Sequence, residues 1–247
     1  MSDYQLTPIA FIESPYKQKF AIPRQPRLIP EAKAKCKFVG EFNREEFVRG
    51  IEDFSHVWLI FRFHETADKG WSPLVRPPRL GGNDKKGVFA TRATFRPNGI
   101  GMSAVKLEGV HYENGQLWLE LSGIDLLDGT PILDIKPYLP YSDSLPNATA
   151  GFADTRPETP LVVEFADQAI TFCENNSALY PELQSFIEKV MPLRIGHDGP
   201  PHINPVRICI QENRLVGIAE AVRPTFFRYR DYGPSAAAIE RTTAEWS

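Results

Sequence analysis

The stretch Thr91-Arg-Ala-Thr-Phe-Arg-Pro-Asn-Gly-Ile-Gly-Met-Ser-Ala-Val-Lys-Leu107 is the most informative part of this chain. It opens with two arginines and passes through a Pro-Asn-Gly turn, in which Asn98 and Gly99 suit left-handed backbone torsions. Gly101 allows another group to approach the backbone closely. From Met102 onward the period-2 pattern is apolar on both faces. The stretch therefore predicts a basic turn that leads into a strand covered on both sides near its start.

Extended segments dominate the rest of the first 150 residues. Apolar, β-branched and aromatic residues fill 9–12, 56–63, 102–112 and 116–121, which predicts strands. Asn114-Gly115 lies between the last two and is a strong hairpin signal. Many short strands with Pro/Gly turns predict a β-barrel or a sandwich. Because no Gly-x-Gly-x-x-Gly follows any strand, a Rossmann domain is not supported.

One helix is predicted in this first part of the chain. Over residues 44–53, Phe47, Val48 and Ile51 fall on one helical face, and Asn43 can cap the helix.

The composition changes where Pro140, Pro146, Pro157 and Pro160 punctuate polar sequence, which is typical of a long connection. We therefore expect a main domain over residues 1–150 and a small C-terminal α+β domain over 151–247. In the second domain the sequence predicts a helix around 181–190 and strands at 161–165, 206–210 and 215–221.

The overall composition is that of an ordinary globular protein, with 42% hydrophobic and 24% charged residues. No apolar run is long enough for a membrane span, and the first residues lack a secretory pattern. Cys36, Cys173 and Cys209 are odd in number and widely spaced, which indicates neither a disulfide framework nor a metal site. These features predict a cytoplasmic protein without a bound metal.

The net charge of −3 conceals an asymmetry along the chain. Residues 15–96 carry seventeen Lys or Arg against nine Asp or Glu, a balance of +8, so the remainder is −11. The basic part can meet a polyanion while the acidic part faces away from it. The alternative is a solvated surface with unevenly distributed charge.

Polar loops follow several of the predicted strands, and each also has a structural interpretation. A Pro-rich basic loop spans 14–26, His64-Glu65 ends an apolar strand, a long loop spans 71–83, and an Asp-Gly turn lies in 125–131. An Asp-Gly sequence is usually only a turn, and a lone histidine at a rim is more often a surface residue than a base. Their number on one scaffold favours a binding site.

Eight motifs along residues 9–150 together resemble one known family. They are Ser14-Pro-Tyr16, residues 20–26, Phe54-Ser-His-Val-Trp-Leu59, Arg76-Pro-Pro-Arg-Leu-Gly-Gly-Asn83, Gly87-Val-Phe-Ala-Thr-Arg92, residues 95–103, residues 125–131 and Asp134-Ile-Lys-Pro-Tyr138. The family is that of the TsaA-like (TrmO) tRNA adenine N6-methyltransferases. The resemblance implies a mainly β fold, with a non-Rossmann β-barrel methyltransferase domain and a small C-terminal domain. It also implies a homodimer with the cofactor near the subunit interface.

The resemblance further implies the reaction. S-adenosylmethionine is the methyl donor, and the acceptor is N6 of threonylcarbamoyladenosine at position 37, in the anticodon loop of tRNA. The residues that the resemblance assigns to the cofactor are Gln25, Pro26, Arg27, His64, Glu65, Arg92, Met102, Leu127, Asp128, Gly129 and Thr130. Arg92 suits the methionyl carboxylate, because a guanidinium group binds planar anions.

Methyl transfer to a carbamoylated adenine requires alignment and the loss of a proton. The nitrogen lone pair must lie along the S–CH3 axis, and a general base would accept the N6 proton. His64, Glu65 and Asp128 are the titratable candidates on the matched segments, and all three remain open.

Basic and aromatic side chains are the candidates for tRNA binding. Phosphate contacts give sequence-tolerant affinity, and they are assigned to Lys17, Lys19, Arg24, Arg76, Arg79 and Arg96. A loop base would stack on an exposed aromatic residue, for which Tyr16, Phe20 and Trp71 are the alternatives.

The chain departs from the family pattern at two places. Gly99 stands where the family usually has proline, and residues 193–201 replace an Asp-Pro-Arg-Pro-Ala-Tyr-like stretch. The second departure concerns the choice of tRNA more than the chemistry. The rival interpretation is a non-catalytic S-adenosylmethionine-binding or RNA-binding β-barrel module.

Overall fold

The computed structural model describes residues 5–17, 22–77, 80, 83–154, 163–178, 180–195, 206–211, 214–219, 225–231 and 237–242. The chain divides into two compact units. The first comprises Met1–Ile12, Lys35–Ser122 and Gly129–Pro157, and the second comprises Glu13–Ala34, Gly123–Asp128 and Glu158–Ser247.

A closed six-stranded barrel confirms the predicted fold. The strands up to residue 137 are β1 (Ala10–Glu13), β2 (Lys33–Phe38), β3 (His56–Arg62), β4 (Leu74–Val75), β5 (Lys86–Gly87), β6 (Ile100–Glu113), β7 (Gln116–Ser122) and β8 (Pro131–Pro137). Two short helices accompany them, α1 (His64–Ala67) and α2 (Pro140–Asp143). The order around the barrel is β1-β2-β7-β6-β3-β8, while β4 and β5 form a separate small hairpin.

Alternate residues of the barrel strands form the core. In β3, Val57, Leu59 and Phe61 are buried between more exposed neighbours, and three leucines of β7 repeat the pattern. This is the period-2 alternation of a strand with one buried face. The predicted Asn114-Gly115 hairpin is also confirmed, because both residues have positive φ (52° and 78°) and Glu113 pairs with Gln116 across the turn.

β2 and β8 close the barrel, although neither strand was predicted from the sequence. β2 reads Lys-Ala-Lys-Cys-Lys-Phe, and its Ala34, Cys36 and Phe38 are buried while the lysines are not. Its period-2 signal was present but was diluted by charge. β8 begins at Pro131 and carries charged residues, which obscured its strand character.

The predicted helix capped by Asn43 is wrong. Its residues form two 3₁₀ turns, Glu45–Val48 and Ile51–Asp53, separated by Gly50 with a left-handed φ of 83°. A left-handed residue interrupts a right-handed helix. The Asn43 side chain instead accepts the Leu117 N–H at 2.7 Å, so it anchors the start of β7 rather than a helix.

The start of β6 is partly exposed, although the sequence predicted that both of its faces would be buried there. Ser103 and Val105 are buried on one face, and Ala104 is buried on the other, but the Met102 side chain is 57% exposed. The expected cover on both faces is therefore wrong at Met102 and at Lys106, which are exposed on the outer face of the strand. It holds at Ala104, which lies between them on that face.

α2 is held against the barrel by an indole hydrogen bond. Trp58 Nε1–H donates to Asp143 Oδ2 at 2.8 Å, and the Leu139 N–H donates to the same oxygen at 2.9 Å. The Leu139 N–H and then the indole lower the pKa of Asp143 from its ordinary value. In the same stretch Tyr141 is 87% exposed and Leu145 is 72% exposed.

The second unit contains both helices and strands. It contains β9 (Val163–Phe165), α3 (Asp167–Asn175), α4 (Leu183–Ile195), β10 (Val206–Gln211), β11 (Arg214–Ala219), β12 (Thr225–Asp231) and β13 (Ala237–Thr242). The sheet order is β13-β12-β11-β10-β9, with β9 parallel to β10 and the other pairs antiparallel. Two early segments, 13–34 and 123–128, also belong to this unit. The domain boundary at residue 150 stays a prediction.

Candidate functional site

Asp128 fastens the 14–17 loop within the second unit. Its Oδ1 accepts the Ser14 N–H at 2.9 Å and lies 2.8 Å from Lys17 Nζ. The Ser14 hydroxyl, which is buried, donates to the Leu126 carbonyl at 2.8 Å, and the Asp128 N–H donates to the Tyr16 carbonyl at 2.9 Å. Two predicted site segments, separated by more than 100 residues in sequence, are thus joined by side-chain and backbone bonds.

The Asp-Gly turn continues into the barrel of the first unit. The Gly129 N–H donates to the Ile12 carbonyl at 2.7 Å, and the Ile12 N–H donates to the Thr130 carbonyl at 3.0 Å. Gly129 has a φ of 75°, and Thr130 is buried. The backbone N–H groups of residues 128 and 129 are therefore used by the protein, so an adenine edge would have to be met by other groups of this turn.

Arg27 adopts a left-handed backbone conformation in the second unit. Its φ is 64°, and its N–H donates to the Gly123 carbonyl at 2.8 Å. A Cβ built on Gly123 would lie 3.2 Å from the Arg27 Cα, so the two segments are closely packed. A non-glycine residue in this region costs roughly 1–2 kcal/mol. Such strain is typical of positions with a functional task.

His64 and Glu65 lie directly beyond the end of β3, as predicted. His64 begins α1, and its Nε2 lies 3.9 Å from Glu65 Oε1, a distance too long for a hydrogen bond. The His64 side chain is 30% exposed and that of Glu65 is 60% exposed. The preceding residue, Phe63, donates its N–H to the Gly99 carbonyl at 2.8 Å. The His64 segment and the Pro-Asn-Gly turn therefore lie side by side in the first unit.

Gly101 provides the space into which two aromatic rings pack. A Cβ at this position would lie 2.5 Å from Phe61 ring carbons and 2.7 Å from the Phe63 Cζ. The two rings meet edge to face with their centroids 5.2 Å apart. The close approach predicted at Gly101 is thus made by these rings, next to the start of α1.

Gly99 has a conformation that proline does not adopt. Its φ is 60°, and its N–H donates to the Arg96 carbonyl at 3.0 Å. Proline fixes φ near −65° and has no N–H. The turn in this chain therefore differs in local geometry from one that carries proline at the same position.

The Arg96 guanidinium holds its own loop together. Arg96 Nη1 donates to the Thr91 carbonyl at 2.8 Å and to the Val88 carbonyl at 3.3 Å, and its Cζ lies 5.9 Å from the Phe89 ring centroid. Because two hydrogen bonds to its own loop occupy Nη1, the Arg96 guanidinium has fewer N–H donors left for a phosphate. The predicted phosphate contact of Arg96 stays a prediction, and the geometry gives Arg96 a positioning task beside Arg92, which is exposed.

The remaining basic candidates differ in their surroundings. Arg24 and Arg76 are exposed, whereas the Lys17 ammonium is paired with Asp128 and its side chain is 18% exposed. Phosphate binding by Lys17 would have to compete with that ion pair. Lys19 and Arg79 lie outside the described residues.

Among the aromatic candidates, Tyr16 is wrong as a stacking residue. It is 1% exposed, and its ring packs 6.1 Å from the Phe186 ring within the second unit. Burial raises the pKa of the Tyr16 phenol well above its ordinary value. Phe20 lies outside the described residues, and Trp71 is 62% exposed. Phe89, which was not among the aromatic candidates predicted from the sequence, is 77% exposed.

Two kinds of feature are absent from the described ranges, a metal-ligand cluster and a membrane-spanning helix. Within these ranges, no three His, Cys, Asp or Glu side chains are arranged to hold a metal ion. Over the same ranges, no helix combines the length and apolar character needed to cross a bilayer.

Residues 11–144 match the family model of the tRNA-methyltransferase O N-terminal domain. The tRNA (adenine(37)-N6)-methyltransferase of Escherichia coli is 48% identical over 191 residues, which is 77% of this chain and 81% of that protein. The chain belongs to the TrmO family. A crystal structure of TrmO from Pseudomonas aeruginosa is 37% identical with a TM-score of 0.66, covering 96% of this chain and 97% of that one.

Another relative of this chain, also from Pseudomonas aeruginosa, is named for its methyl donor. A protein provisionally named an S-adenosylmethionine-dependent methyltransferase is 53% identical over 166 residues, which is 67% of this chain and 70% of that protein. The TrmO match includes residues of all six barrel strands and every segment that carries a predicted cofactor residue.

The two roles proposed for Asp128 predict different mutant behaviour. Asp128→Ala is expected to lower the free energy of unfolding by about 1–3 kcal/mol, because the Ser14 N–H loses its acceptor. Asp128→Asn retains a side-chain oxygen that can accept this bond, so it should cost less and keep most of the activity. Urea unfolding and steady-state kinetics measure the two effects.

A large loss of activity without a loss of stability in Asp128→Asn would show that Asp128 is the general base. Removing a general base lowers kcat by about a hundredfold or more. Such a loss in a folded Asp128→Asn protein of unchanged stability would contradict the positioning role.

Proposed function

We propose that this chain transfers the methyl group of S-adenosylmethionine to N6 of adenosine 37 in tRNA, on a nucleoside that carries a threonylcarbamoyl group. The observation that carries the proposal is the TrmO match over residues 11–144, together with 48% identity to a tRNA (adenine(37)-N6)-methyltransferase over 77% of the chain. A closed barrel supports it as a scaffold, because loops at strand ends can present polar groups while the strands remain packed.

The first unit contributes Arg92, Met102, Gly129 and Thr130 to the proposed cofactor contacts. Arg92 is exposed, and its guanidinium would bind the methionyl carboxylate through charge-assisted hydrogen bonds. Met102 is exposed on the outer face of β6, where its soft thioether side chain would pack against an apolar part of the cofactor.

The second unit contributes Gln25, Pro26, Arg27, Leu127 and Asp128. The left-handed turn at Arg27 and its bond to Gly123 support this assignment, because a strained backbone fixes the directions of the side chains around it. Asp128 acts here by holding the 14–17 loop, as its contacts with Ser14 and Lys17 indicate.

The proton acceptor is His64 or Glu65. Both side chains are partly exposed, and they are not hydrogen-bonded to each other. Asp128 is the weaker candidate, because its Oδ1 already accepts the Ser14 N–H and contacts Lys17 Nζ. The protein groups position the acceptor nitrogen and remove its proton, and proximity supplies a large part of the lowered barrier.

The anticodon loop of tRNA is the proposed partner. Arg24 and Arg76 are exposed and would contact phosphates, which gives salt-dependent affinity. Lys19 and Arg79 keep the same proposed role outside the described residues.

A homodimer in the cytoplasm completes the proposal. Exposed Tyr141 and Leu145 near α2 are apolar surface that a second copy would cover. Cys36 and Cys173 are buried free thiols, in agreement with a reducing compartment. Burial raises the pKa of the Cys36 thiol to about 12. The mass of the protein in solution tests the dimer.

Cofactor turnover separates this function from a non-catalytic binding module. The protein with S-adenosylmethionine is expected to release S-adenosylhomocysteine only when tRNA is added. Bound S-adenosylmethionine that remains unconverted in the presence of threonylcarbamoylated tRNA would favour the binding module.

A further inference from the structure

Phe89 is an aromatic side chain presented to solvent by a fixed backbone. It is 77% exposed at the centre of the 3₁₀ turn Val88–Ala90. Burying a phenylalanine contributes roughly 1.5–3 kcal/mol, so an exposed ring forgoes that stabilisation. An exposed ring on an ordered turn is therefore a candidate contact surface.

The turn that carries Phe89 is fastened on both sides. Val88 is buried, and its N–H donates to the Pro73 carbonyl at 3.0 Å. The Thr91 hydroxyl and N–H both donate to the Val88 carbonyl, at 2.9 and 3.1 Å. Arg96 adds its two bonds to the Val88 and Thr91 carbonyls. These contacts fix the backbone from which the ring projects.

The charge around the ring favours a polyanion. Residues 76–96 include six Lys or Arg and one Asp. Lys85 and Arg76 are exposed, and the Arg96 guanidinium lies 5.9 Å from the Phe89 ring centroid. Nucleic-acid sites combine basic groups along the backbone with aromatic rings on which bases stack.

Phe47 provides an internal comparison. It is 53% exposed on another 3₁₀ turn, with the Arg44 guanidinium 5.2 Å from its ring centroid. Its surroundings are acidic, because residues 41–53 hold five Asp or Glu against two Arg. The same aromatic–arginine pair thus occurs in two opposite electrostatic settings, and only the setting of Phe89 suits RNA.

We propose that the Phe89 ring stacks on a base of the tRNA substrate, with Arg96 as the residue that positions the turn and ring. Lys85 and Arg76, which flank the paired residues Lys86 and Val75 of the small hairpin, would contact the phosphate backbone of the same RNA. This inference rests on the proposed function, since it names the residue that receives part of the same tRNA. Every base has a π-face, so the stacking contributes affinity with little sequence preference.

An RNA-binding experiment tests the proposal. It uses a fluorescent anticodon stem-loop RNA that carries threonylcarbamoyladenosine, and fluorescence anisotropy measures the affinity over a range of salt concentrations. Phe89→Ala and Phe89→Leu are expected to weaken binding by about 5- to 100-fold. The dependence of affinity on salt should keep its slope, since no charge is lost. Phe89→Trp should retain binding, because it keeps an aromatic face. Lys85→Ala should instead reduce the salt slope by about one.

Phe47→Ala is the matched control and is expected to bind like the wild type. Thermal unfolding should be unchanged in all Phe89 variants, because the ring is largely exposed. RNA affinity of Phe89→Ala equal to that of the wild type would overturn the proposal. A Phe89→Ala protein that changes only its sedimentation mass would also overturn it, since the ring would then be a protein contact. Wild-type protein that binds this RNA without methylating it would instead reject the proposed function, and the Phe89 comparison would still decide the stacking.

Discussion

Replacement of Arg92 by alanine is expected to weaken the binding of S-adenosylmethionine by about 10- to 100-fold. A hydrogen bond to a charged group contributes about 1.5–3 kcal/mol, and each 1.4 kcal/mol corresponds to a factor of ten. The fold should remain intact because Arg92 is exposed. Isothermal titration calorimetry with purified protein measures the affinity.

Arg49→Ala is the control for the Arg92 experiment. Arg49 is also an exposed arginine of the first unit, and it has no proposed role in cofactor binding. Its replacement should leave the affinity unchanged. A folded Arg92→Ala protein that binds S-adenosylmethionine as tightly as the control would reject the carboxylate contact.

Gly101→Ala is expected to lower the free energy of unfolding by about 1–3 kcal/mol, the usual cost of overpacking. The added Cβ would lie 2.5 Å from Phe61 ring carbons and 2.7 Å from the Phe63 ring. Phe61 is buried in the barrel core, so it has little room to move. For a chain of this size, Tm should fall by roughly 2–4 °C for each kcal/mol.

Gly87→Ala is the matched control for this substitution. A Cβ at Gly87 would meet no atom within 4 Å, and its φ of −57° suits any residue. We expect its Tm to stay close to that of the wild type. Equal Tm values for the two alanine variants would contradict the packing that we describe around Gly101.

The parts of the fold that were predicted correctly depend on local signals. Asn114-Gly115 predicted its hairpin because both residues tolerate the left-handed torsions that the turn requires. β3 and β7 were predicted from their apolar, β-branched and aromatic residues, and their burial alternates with a period of two. The helix over 44–53 failed because Gly50 interrupts it and Asn43 finds a partner in Leu117, 74 residues away.

The site was harder to predict because its side chains act through distant partners. Asp128 bonds to Ser14, 114 residues earlier, so its anchoring role is not visible in the Asp-Gly turn itself. Tyr16 is buried against Phe186 of α4, a contact that no local pattern indicates. Arg96 turns back to carbonyls of its own loop, which residue type alone does not distinguish from a phosphate contact.

The proposed reaction of this protein is the methylation of threonylcarbamoyladenosine at position 37 of tRNA. Mass spectrometry of tRNA nucleosides, before and after incubation with the protein and S-adenosylmethionine, tests it most directly. Threonylcarbamoyladenosine is expected to gain one methyl group, and the same tRNA without the threonylcarbamoyl group is expected to stay unmethylated. Equal methylation of both tRNAs, or of neither, would contradict it.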